Sequence, residues 1–93
     1  MEVYKFRLFI AGGTPNSAQA LSNLIALCES RLAGRHDIEV IDVFHEPLRA
    51  LKESIFMTPT LLKLSPAPEL RIVGTLADSR RLLQALGLEG MPA

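Results

Sequence analysis

The sequence is short of sulfur, aromatic rings and net charge, and each shortage closes off a class of function. It holds one cysteine, Cys28, in 93 residues. One thiol can make no internal disulfide and no cysteine-based metal cluster, and it fits a reducing, cytoplasmic setting. Tryptophan is absent and aromatic residues make up 5%. A platform for single-stranded nucleic acid needs stacking rings, and none interleaves with the cations Lys63, Arg71, Arg80 and Arg81, which read as a solvated face. Lys plus Arg and Asp plus Glu number ten each, so no electrostatic pull toward nucleic acid or an anionic membrane is expected. No apolar run approaches the ~20 residues of a membrane-spanning helix. Residues 1–5 lack the basic stretch and apolar run of a secretory leader, so none is expected.

What the chain does have is apolar content, 48% hydrophobic residues, enough for a packed core. Residues 1–93 read as a single domain. At this size a fold buries only ~60–65% of its unfolded surface, so self-association would help and is expected.

The pattern alternates strands and helices. Residues 4–11 form a strand with Tyr4, Phe6, Leu8 and Ile10 on one face and Lys5, Arg7 and Phe9 on the other. Gly12-Gly13 ends it. Thr14 is placed to cap a helix that Pro15 opens, with Leu21, Leu24, Ile25, Cys28 and Leu32 as its apolar stripe and Gly34 as its stop. Residues 38–43 are largely β-branched and read as a buried parallel strand. Pro47 starts a short helix with Leu48, Leu51 and Ile55 as the buried stripe. Residues 61–64 and 70–73 are two more strands, joined by a turn through Pro66 and Pro68. Thr75 and Asp78 resemble a capping box ahead of a helix reaching Leu86, and Gly87 and Gly90 fray its end. The order β-α-β-α-β-β-α is that of an α/β, thioredoxin-like domain.

A redox-active domain of that kind carries two cysteines between the first strand and first helix, where the helix N-terminus stabilises a thiolate. Here that place reads Gly13-Thr14-Pro15-Asn16-Ser17, without sulfur. Cys28 falls on the apolar stripe as a small buried hydrophobe. Pro59 precedes the third strand, where a cis bond is expected in a thioredoxin-like state. Gly12-Gly13 lacks both phosphate-loop and dinucleotide patterns. His36 and His45 flank the second strand at opposite ends and do not converge on a metal. No catalytic site, metal or cofactor is expected.

Three segments in order resemble the KaiB family of the cyanobacterial circadian oscillator. They are Leu8-Phe9-Ile10-Ala11-Gly12-Gly13-Thr14-Pro15-Asn16-Ser17, then Thr58-Pro59-Thr60-Leu61 with Lys63, then Ile72-Val73-Gly74 with Leu76 and Asp78. The resemblance implies a non-enzymatic, cytoplasmic regulator. It binds a KaiC-like ATPase ring and then captures a KaiA-like protein or competes with a histidine kinase. It also implies two folds of one sequence, thioredoxin-like or a homo-oligomeric ground state (a tetramer with a fold of its own), which need differ by only a few kcal/mol. Pro59, Gly74, Asp78, Ala85 and Gly87 are the positions the resemblance marks as deciding between them. Partner contacts by resemblance are Ile38, Glu39 and Val40 on the second strand, Ser54 after the second helix, and Lys63. Glu39 and Ser54 stand where clock-type members carry lysine, and Ala85 and Gly87 where they often carry Gly and Asp. The alternative reading is an adaptor for a histidine kinase or stress-signalling partner without a clock role.

Overall fold

A computed structural model describes residues 2–88. Its elements run β1 (Tyr4–Ile10), α1 (Pro15–Arg31), β2 (His36–Asp42), α2 (Pro47–Lys52), β3 (Thr60–Ser65), β4 (Leu70–Val73) and α3 (Ser79–Ala85). This is the order expected from the pattern. The strands form one sheet in the order β2-β1-β3-β4. β1 and β2 are parallel, as a helical crossover requires, while β1–β3 and β3–β4 are antiparallel.

Strand alternation divides the apolar residues between the two faces of the sheet. Tyr4, Phe6 and Leu8 from β1 and Leu61 from β3 join Ala20, Leu24, Leu27, Cys28 and Leu32 of the α1 segment and Leu82 and Leu86 of the α3 segment in the larger core. Phe9, Ile41 and Leu62 point the other way and meet Ala50 of α2 in a smaller one. Four of the seven residues of β1 are buried, Tyr4, Phe6 and Leu8 on one face and Phe9 on the other, because helices pack on both faces of this strand.

Several local expectations are corrected by this packing. The Thr14 side chain does not cap α1. Its hydroxyl donates backwards to the Ala11 carbonyl at 2.7 Å, while the Ala11 amide donates to the buried Ser17 hydroxyl at 3.0 Å. Ile25 is exposed and Leu27 takes its place, since the face toward the sheet follows Ser17, Ala20, Leu24, Leu27 and Cys28. The capping residue of α3 is Asp78, whose carboxylate accepts from the Arg81 amide at 3.1 Å. Thr75 instead gives its carbonyl to Asn23 Nδ2 at 2.8 Å. β2 is not a buried strand. It lies at the sheet edge, and only Ile41 of its seven residues is fully buried. Leu48 and Leu51 do not form the buried stripe of α2, because Ala50 faces the core and both leucines face water.

Two glycines do specific work. A side-chain carbon on Gly12 would overlap the Asp42 carboxylate, whose other oxygen accepts from the Phe44 amide at 2.9 Å. A larger residue at this position would have to push that carboxylate aside. Gly74 ends β4 at φ +121°, a region other residues rarely enter. Thr58–Pro59 is cis, as expected, and Ser65–Pro66 and Ala67–Pro68 are cis as well. Gly90 lies outside the described residues.

Candidate functional site

The sheet leaves one long edge. β2 pairs with β1 on one side over residues 36–42, and among the described residues no strand lies on its other side. An edge of this kind presents unpaired main-chain N–H and C=O groups that another chain can use. Ile38, Glu39 and Val40 sit in its middle. Ile38 turns inward onto the larger core. Val40 shares its face of the sheet but is 41% exposed. Glu39 lies on the opposite face with Arg7, Leu62 and Arg71, one residue from each strand in a single cross-sheet row.

That row is tied to α2 by charge. Arg7 donates to Glu39 at 2.8 Å and to Glu53 at 3.2 Å, and Arg49 grips both oxygens of Glu39 at 2.9 and 3.2 Å. Arg71 continues the row by donating to the main-chain carbonyls of Glu53 and Ser54 at 2.7 and 2.8 Å. These bonds hold the chain just past α2 onto the sheet. They also hold Ser54 in the left-handed region, at φ 57°, where a residue with a side chain is strained. Ser54 is exposed through its side chain and engaged through its carbonyl.

The two arginines lower the Glu39 carboxyl from 4.5 to about 2, mainly through the hydrogen bonds from Arg49 and then Arg7. A depressed folded-state value adds stability above pH 4.5 that is lost as the pH falls toward 2. Glu39→Gln is therefore expected to flatten the acid limb of a stability–pH curve between about pH 4.5 and 2, and urea melts across that range check it. The side chain is 46% exposed, so water screens the pair and the effect at neutral pH is small.

Beside this clamp the surface is apolar. Phe44, Leu48, Leu51, Phe56 and Met57, on α2 and its flanks, are each at least 64% exposed. None of them was expected at the surface from sequence. A helix of six residues in a stretch this rich in large apolar side chains cannot bury them all, and that excess was the available signal.

Lys63 is placed differently from the surface contact expected for it. It is 3% exposed, and its ammonium lies 6.0 Å from the centre of the Tyr4 ring. β3 alternation puts it on the face of Leu61, under the α3 end of the larger core. Cys28 is fully buried in that core, and burial raises its thiol to about 11, away from the reactive thiolate. His36 Nδ1 lies 2.8 Å from the Leu32 carbonyl, and His45 stands at the other end of β2 near Asp42, so the two do not meet. Among the described residues no group of three or more His, Cys, Asp or Glu is placed to hold a metal, and no helix is long and apolar enough to cross a membrane.

Comparison with known proteins places these features. Residues 7–88 match the family model described as the KaiB domain. The circadian clock protein KaiB3 of Synechocystis is 40% identical over 86 residues, spanning 92% of this chain and 82% of that protein. Among solved structures, the N-terminal domain of Synechococcus elongatus SasA superposes with a TM-score of 0.75 at 21% identity, over 100% of this chain and 91% of that one. Chloroplastic thioredoxin z does so with a TM-score of 0.79 at 21% identity, over 95% and 80%. At that identity the two structures speak for the fold, which is thioredoxin-like.

Proposed function

The chain belongs to the KaiB family, and we propose that it is a non-enzymatic regulatory protein that docks in this thioredoxin-like form onto a KaiC-like ATPase ring and modulates its output. Residues 1–93 act as one cytoplasmic module in this reading. The observation that carries it is the open main-chain edge of β2, which lies beside the apolar surface of α2. Such an edge binds by adding a partner's strand, with main-chain bonds giving affinity and neighbouring side chains giving selectivity. Val40 and the residues of α2 supply those neighbours. Glu39 acts indirectly, because its charge is spent on Arg7 and Arg49 and it fixes α2 against the sheet. Ser54 lies next to the same surface. Lys63, being buried, shapes the fold beneath it.

Co-elution on a sizing column with the KaiC homologue of the same cell, with and without ATP, tests the proposal. A complex is expected after long incubation. Absence of any complex, with recovery of a histidine kinase from the same cell instead, would transfer the reading to the adaptor alternative.

A further inference from the structure

Lys63 carries a charge that the fold does not neutralise. The residue is 3% exposed on β3, and burying an ammonium is costly unless an opposite charge or hydrogen bonds compensate. Among the described residues no carboxylate lies within ion-pair distance of it. It faces the Tyr4 ring, with 6.0 Å from the nitrogen to the ring centre. An aromatic face attracts a cation at that range but does not cancel its charge.

A cavity of about 310 Å³ opens at the same place, between the start of β1, the turn after β3 and the C-terminal end of α3. Tyr4 and Lys63 line it, Pro66 and Pro68 give it an apolar side, and Gln84 and Glu2 give it a polar rim. The ammonium stands over a ring that lines this cavity, so the charge lies on the cavity side of β3. Among the described residues no fully enclosed side-chain nitrogen lacks a hydrogen-bond partner, which leaves the unbonded ammonium reachable from the cavity. The end of α3 does not oppose an anion there, because the carbonyls of Leu82, Leu83 and Gln84 are taken by the amides of Leu86, Leu88 and Gly87.

We propose that this cavity binds a small organic monocarboxylate. The carboxylate accepts a charge-assisted hydrogen bond from the Lys63 ammonium, the apolar part lies against Pro66 and Pro68, and Gln84 offers its amide at the rim. One cation calls for one negative charge, and a dianion would leave an excess beside Glu2. The volume stands at the small end of ligand sites, about 300–1,000 Å³, which suits a molecule of benzoate's size. The cavity lies on the α3 side of the sheet, away from α2, so the proposal does not rest on docking to a KaiC-like ring.

Amide NMR of the isotope-labelled full chain, titrated with sodium benzoate at an ionic strength held constant with sodium chloride, tests it. Saturable shifts are expected at Tyr4, Lys63 and Gln84, with a dissociation constant of roughly 1–10 mM. Lys63→Met should weaken binding about tenfold or more, and Glu2→Gln, which removes a competing carboxylate, should tighten it about threefold. Gln84→Leu, at an exposed position, should weaken it about threefold and keeps the test open should Lys63→Met fail to fold. Benzyl alcohol, the uncharged analogue, should give no saturable shift. Absence of saturation with benzoate, equal affinity in both weakening variants, equal binding of benzyl alcohol, or inorganic phosphate binding more tightly than benzoate overturns the proposal.

Discussion

Phe9→Ala is expected to remove about 3–5 kcal/mol of stability and to loosen α2 more than any other element. Phe9 is fully buried at the centre of the smaller core, with Ile41 on β2, Leu62 on β3 and Ala50 on α2. A chain of this length has roughly 5–14 kcal/mol in total, so the variant stands near its folding threshold. The smaller core has few members, and its cavity has little around it to collapse inward. Urea unfolding gives the overall loss. Amide exchange on the same variant should show the α2 amides opening before those of α1, which packs on the other face. A loss under 1 kcal/mol would mean that the Arg7, Glu39, Arg49 and Glu53 clamp alone holds α2.

Lys63→Glu is the second large effect expected, about 3 kcal/mol or more. The ammonium now faces the Tyr4 ring, whose electron-rich face attracts a cation. A carboxylate there would be repelled by that face and left buried without a cation. Lys63→Met keeps the length of the side chain and removes the charge, so it should change stability by no more than about 1 kcal/mol. Parallel denaturation curves of the two variants measure this contrast. If Lys63→Met instead cost as much stability as Lys63→Glu, the ammonium would be the contact itself and the shaping role assigned to the side chain would fail.

The element order and the first strand were readable because period-two alternation, Gly12-Gly13 and Pro15 mark them locally. β4 and the cap by Asp78 were nearly so, although the carboxylate alone makes the cap and Thr75 is spent on Asn23. What escaped was the division of burial between the two sheet faces. Val40, Leu48 and Leu51 look like core residues by type, and β2 looks like a buried strand by its β-branched content. Which strand becomes the edge depends on the pairing order of all four, and no window of sequence contains that. The same holds for Lys63. Its identity suggested a surface contact, but strand register turns it under α3. The ion clamp was likewise invisible, since Arg7 of β1, Glu39 of β2, and Arg49 and Glu53 of the α2 segment are brought together from three separate parts of the chain.

The account stands on the outer edge of β2 being the part of this chain that a KaiC-like ring takes up. Amide hydrogen exchange of the complex measures that edge directly. The outward-facing amides of β2, around Ile38, Glu39 and Val40, should become strongly protected on binding, while those of β4 at the opposite edge keep their free rates. A complex in which β2 exchanges as fast as in the free chain would contradict it.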